Sequence, residues 1–106
     1  MTKEQAMEEQ RMTLMNIRWM LKKQGKRFSD LEKYCGVSNG YISRCEGHSK
    51  RRLSLVIVMM AADYLGMTIE ELMSADLARE AELNDIDAKI MALQKRKSDL
   101  IKEEDE

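Results

Sequence analysis

The 106-residue sequence predicts an all-α protein, with five helices in one small domain and a longer amphipathic helix after them. Three observations carry that expectation. Proline is absent and glycine occurs only five times, so few residues break a helix. Apolar residues recur at helical spacing through most of the chain. Gly25, Gly36 and Gly66 each stand where a periodic segment stops, the place at which a left-handed residue closes a helix. Aromatic residues make up 5% of the chain, so Leu, Ile and the ten Met must fill the core, methionine adapting to irregular gaps.

The first helix is expected from about Lys3 to Gln24, with Met7, Leu14, Ile17, Met20 and Leu21 roughly on one face. Lys22 and Lys23 suit its C-terminal dipole end, and its first residues are expected to fray. The second helix covers about Phe28 to Cys35, and the third starts after Ser38 as N-cap and runs to about Cys45 or Glu46. Gly47 to Leu53 form a polar, basic loop. Ser54 caps a fourth helix, Leu55 to Leu65, whose nearly unbroken apolar character places it at the centre of the core. Thr68 and Glu71 have capping-box spacing and open a short fifth helix to about Met73. Ser74, Ala75 and Asp76 open the last helix, about Leu77 to Lys102. Leu83, Ile86, Ile90, Leu93 and Leu100 trace an a/d stripe along it, with Lys97 interrupting one a position. The chain thus divides into a domain of residues 1–74 and a helix of residues 75–106 with a frayed acidic end, the stripe forming a dimer interface.

Composition narrows the function. No stretch approaches the roughly 20 apolar residues of a membrane span, and the charged N-terminus lacks a signal-peptide core. A cytosolic protein is expected, with Cys35 and Cys45 as reduced thiols. The net charge of −1 conceals a split: Gln10 to Ala62 carry 11 basic and three acidic residues, a net +8, whereas Ala75 to Glu106 sum to −4. A basic module beside acidic segments suits a nucleic-acid surface. Catalysis is not expected, because one histidine, no glycine-rich phosphate loop and no acid–base pair in a recognisable frame supply no machinery. Zinc is not expected either. Cys35, Cys45 and His48 lack a fourth ligand at a familiar spacing, and both cysteines fall on apolar positions. No cofactor is implied.

The turn between the second and third helices is the most informative segment, LEKYCGVSNGYISRCEG, Leu31 to Gly47. Two short helices that cross steeply need a sharp corner, and Gly36 permits the positive φ it requires. Leu31, Cys35, Val37, Ile42 and Cys45 fall where apolar side chains would hold the two helices together. Asn39, Gly40, Ser43 and Arg44 are left on the outward N-terminal half of the third helix, the part that a recognition helix pushes into the major groove.

The chain resembles the lambda-repressor-like, or XRE-type, helix-turn-helix regulators, which have five helices. The resemblance spans about Leu14 to Met73 and rests on Ile17-Arg18 and Met20, Leu31 to Cys35 followed by Gly36-Val37-Ser38, Ile42-Ser43 and Glu46, Ser54-Leu55, Val58, Ala62, Leu65-Gly66, and Glu71-Leu72. It implies base contacts from Ser38, Asn39, Gly40, Ser43 and Arg44. An Arg44 guanidinium suits guanine O6 and N7, and Asn39 an adenine edge. It also implies phosphate contacts from Lys26, Arg27, Tyr41, His48, Lys50, Arg51 and Arg52. The sequence departs from the family pattern where Glu32 replaces a customary Ala, so that Glu32 must tilt outward or find a cation. Arg27 occupies the usual Thr or Ser cap of the second helix, so Ser29 caps it differently or the cap is lost. Phe28 replaces a backbone-contacting Gln. Leu21 stands where an Arg usually pairs with Glu46, which leaves Arg18 as the substitute partner. The implied protein is a homodimeric, double-stranded-DNA-binding transcription regulator, in the simplest case a repressor. Its operator would be an inverted repeat with half-sites roughly 34 Å apart. The alternative is an interaction module, such as an antitoxin or adaptor, that uses the same fold as scaffold.

Overall fold

The computed structural model describes residues 1–47 and 51–104. Among them, six helices follow in order and no strand occurs: α1 (Lys3–Lys23), α2 (Phe28–Cys35), α3 (Tyr41–Gly47), α4 (Leu55–Leu65), α5 (Ile69–Leu72) and α6 (Ala75–Glu104). The all-helical class, the five-helix domain and the long C-terminal helix are as the sequence predicts.

Local chemistry accounts for most helix ends. Thr2 and Gln5 form a reciprocal capping box that holds the start of α1, where fraying was expected. Ser54 Oγ accepts the Ile57 N–H at 3.2 Å, and Thr68 and Glu71 form the expected capping box of α5. Ser74 Oγ accepts the Asp76 and Leu77 N–H groups and so opens α6. At the corner after α2, Gly36 has φ 73° and its N–H bonds back to the last turn. Arg27 stands at the N-cap of α2 without a side-chain cap bond, so this cap is lost rather than moved to Ser29.

Leu14, Ile17 and Leu21 of α1 meet Leu31 of α2, Ile42 and Cys45 of α3, and Leu72 of α5 in one buried cluster. Helix α4 contributes Ile57, Val58, Ala61, Ala62 and Leu65 to it, as its apolar character predicts, but one side of the helix is left outward. Leu55, Val56 and Met59 are 67, 64 and 50% exposed, because α1, α2 and α5 cover one side of the helix only. Two side-chain amides of α1, and a third at its C-cap, tie distant elements to this core. Asn16 Nδ2 donates to the Leu72 and Ser74 carbonyls at 2.8 and 3.3 Å, and Gln24 Nε2 donates to the Leu65 carbonyl at 2.9 Å. Gln10 holds the segment before α4 in the same way. The start of α6 packs on α1 through buried Ala78 and Ala81, and Lys23 Nζ lies 3.5 Å from Glu80. From Asp85 onward the described side chains of α6 are exposed.

Glu32 corrects a sequence expectation. It neither tilts outward nor pairs with a cation: the side chain is 2% exposed, its Oε1 accepting the Gly40 N–H at 3.0 Å and its Oε2 the Ile42 N–H at 2.7 Å. A helix N-terminus presents orphan N–H groups and the positive end of its dipole. One carboxylate from α2 satisfies two such groups at α3, which explains how an acid sits in the tightest part of the motif.

Removing the carboxylate strands two buried donors, so Glu32→Ala should lower unfolding free energy by about 2–4 kcal/mol, with Glu32→Gln recovering part of the loss. Urea denaturation of the three proteins measures this, and equal midpoints for wild type and Glu32→Ala would contradict the capping role. Stability should also fall in alkali. Burial pushes the Cys35 and Cys45 thiols up, and the hydrogen bond to Asp63 raises the Tyr34 hydroxyl. Each shift favours the protonated, folded form, so its contribution is complete below the unfolded thiol value of about 8.5 and fades as pH rises past it. A urea midpoint at about pH 10 no lower than that at about pH 7.5 would contradict this reading.

Candidate nucleic-acid interface

Helix α3 is short, and its inward face, Ile42 and Cys45, is buried at 0 and 4% exposure. Those two side chains fix the roll of the helix, leaving Ser43 and Arg44 exposed on the opposite side. The start of α3 differs from the sequence expectation. The helix begins at Tyr41, two residues later than a Ser38 cap implies, and Asn39-Gly40 form a turn before it. Gly40 has φ 86°, outside the helical region, so the helix cannot pass through it. The Glu32 carboxylate occupies the capping position that Ser38 was expected to fill.

The Gly40 carbonyl gathers the outward residues. It accepts the Arg44 N–H at 2.9 Å, Arg44 Nε at 3.1 Å and Ser43 Oγ at 3.1 Å. The two side chains are thereby drawn back towards the turn that carries exposed Ser38 and Asn39. Arg44 engages Nε here, and the four remaining N–H groups of a guanidinium lie on its terminal nitrogens. The structure thus brings Ser38, Asn39, Gly40, Ser43 and Arg44 onto one short stretch around the N-terminus of α3.

The residues expected at phosphates divide. Arg27, Arg51 and Arg52 are exposed. Tyr41 is half-buried and packs against the core. Lys26 is turned inward: its Nζ donates to the Tyr64 carbonyl at 3.1 Å and lies 4.5 Å from the centre of the Tyr64 ring. His48, Lys50 and the Glu46 side chain lie outside the described residues. Among the described residues, no group of three His, Cys, Asp or Glu side chains is placed to hold a metal ion, and no helix is long and apolar enough to cross a membrane.

Gln10 is a positioning residue that sequence reasoning missed. Its Nε2 donates to the Arg51 carbonyl at 2.7 Å and its Oε1 accepts the Leu53 N–H at 2.8 Å, so one amide clamps the end of the basic loop onto α1. A signal was present. Gln10 and Gln24 continue the stripe of Leu14, Ile17 and Leu21 at spacings of four and three, one at each end. An amide on a core-facing stripe marks a site where another element supplies backbone partners. Gln10→Ala should accelerate tryptic cleavage after Arg51 and Arg52 several-fold while costing only about 1 kcal/mol of global stability. Cleavage at the wild-type rate would show that the clamp does not restrain the loop.

Comparison with curated proteins and with solved structures gives no significant match. A family model described as the Cro/C1-type HTH DNA-binding domain matches residues 16–79, from the middle of α1 to the first turn of α6. That span contains the corner at Gly36, the Glu32-capped α3 and all of α4 and α5. The chain belongs to the Cro/C1-type helix-turn-helix DNA-binding family.

Proposed function

We propose that the protein is a sequence-specific transcription regulator that reads double-stranded DNA through the exposed side of α3 and the turn before it. The observation that carries this reading is the exposed cluster of Ser38, Asn39, Ser43 and Arg44, held by the buried Ile42, Cys45 and Glu32. Arg44 reads guanine and Asn39 adenine, with Gly40 permitting close backbone approach. Arg27, Lys50, Arg51 and Arg52 supply phosphate contacts, with His48 beside them. Lys26 is left out of this set because its ammonium already serves Tyr64. The net +8 of Gln10 to Ala62 supports the same surface.

Residues 1–74 form the DNA-binding part and 75–106 the dimerisation part. Leu83, Ile86, Ile90, Leu93 and Leu100 form the interface, and a two-fold dimer reads an inverted repeat. Bound across a promoter in the cytoplasm, such a dimer represses by excluding polymerase.

Selection from a random DNA pool by the purified chain should enrich an inverted repeat. Absence of enrichment at low salt would overturn the reading. With that site in hand, Arg44→Ala should cost about 1–3 kcal/mol and relax preference at one base pair per half-site. Arg51→Ala with Arg52→Ala should weaken binding to all sequences alike and flatten the plot of log affinity against log salt by about two units per subunit. An unchanged slope would remove these residues from the phosphate contacts.

A further inference from the structure

Helix α6 has two faces with different fates. Ala78 and Ala81 are buried against α1, whereas the stripe points away from that contact, Leu83, Ile90 and Leu93 being 58, 46 and 65% exposed. The charge along the same helix is bipolar. Asp76 to Asp87 hold five acids and one base, a net −4; Lys89 to Lys102 hold five bases and one acid, a net +4. The four acids 103–106 follow beyond the last stripe residue, Leu100.

We propose that the stripe is covered by the α6 of a second copy running antiparallel, the acidic segment Glu82–Asp87 of each helix lying along the basic segment Arg96–Lys102 of the other. This rests on the homodimer reading above and adds its geometry. In a parallel pair, a residues face a residues and g faces the following e. Lys97 would then meet the partner's Lys97 inside an apolar seam, and Glu82 would meet the partner's Asp87. Both contacts are repulsive, and the first also desolvates two ammonium groups. Antiparallel pairing removes the Lys97–Lys97 conflict. Full overlap sets Leu83 against the partner's Leu100 and Ile90 against the partner's Leu93. Lys97 falls across from the partner's Ile86, where its aliphatic stem packs and its ammonium reaches towards the partner's Asp87. A rise of 1.5 Å per residue then puts the two α6 N-termini about 50 Å apart, so the DNA-binding domains sit at opposite ends of the pair.

Sedimentation equilibrium of the DNA-free, full-length chain tests this without reference to DNA binding, so the outcome stands apart from that of the DNA selection. A dimer is expected. Carbodiimide treatment of that dimer should link Lys97 to Glu82 or Asp87. These residues are about 15–22 Å apart along one helix, so such links arise only between chains. Lys97→Glu, at an exposed position that leaves the domain core untouched, should weaken the dimer by at least about tenfold. A monomer at every concentration would overturn the proposal. A dimer that lacks the long-range links and tolerates Lys97→Glu would show parallel pairing and overturn it equally.

Discussion

The carboxylate of Glu32 is the contact on which the geometry of the exposed side of α3 depends. An α2 side chain reaches across the corner and binds the first amides of α3. Because the acid is buried, its oxygens need hydrogen-bond partners, and the N–H groups of Gly40 and Ile42 supply them. The same bonds fix where α3 starts and how it is rolled. Gly40 is the backbone counterpart of this arrangement: its positive φ ends the turn, and its carbonyl collects Arg44 and Ser43. Acid, glycine and arginine form one connected unit whose inner side is structural and whose outer side is available to a ligand.

Helix α1 plays the corresponding role for the rest of the domain. Its apolar stripe packs on α3, α4 and α5, and the amides along it and at its C-cap end in backbone groups of three other segments. Each amide satisfies a carbonyl or N–H that would otherwise be orphaned at a helix end or in a loop. The loop carrying Arg51 and Arg52 is thus tied to the core at its C-terminal end by Gln10, while the exposed guanidinium groups remain at the surface. A basic loop fixed at its base can present charge at low entropic cost.

The α6 helix joins the domain and its proposed partner through separate surfaces. Small side chains, Ala78 and Ala81, permit close approach to α1, and larger ones, Leu83 to Leu100, are left outward. Packing on the domain therefore settles the direction in which the free stripe points. The exposed Leu55, Val56 and Met59 show the same logic on α4, where apolar character alone did not reveal which side the core would claim.

Much of this protein was legible in its residues because the signals act over a single turn. Gly36 and Gly66, the caps Ser54, Thr68 and Ser74, and the stripe of Leu14, Ile17 and Leu21 each act within about four residues, and each led to the correct element. Family resemblance extended that reading to the corner between α2 and α3. The rest depended on contacts between segments. The start of α3 is set by an acid eight and ten residues earlier in the chain. The inward turn of Lys26 is set by Tyr64, 38 residues away, and the loop anchor by Gln10, more than 40 residues away. A local pattern can state that a helix will form and which stripe is apolar. Only the packed chain decides which buried polar atom meets which orphan backbone group, because that pairing depends on distances that no short window of sequence contains.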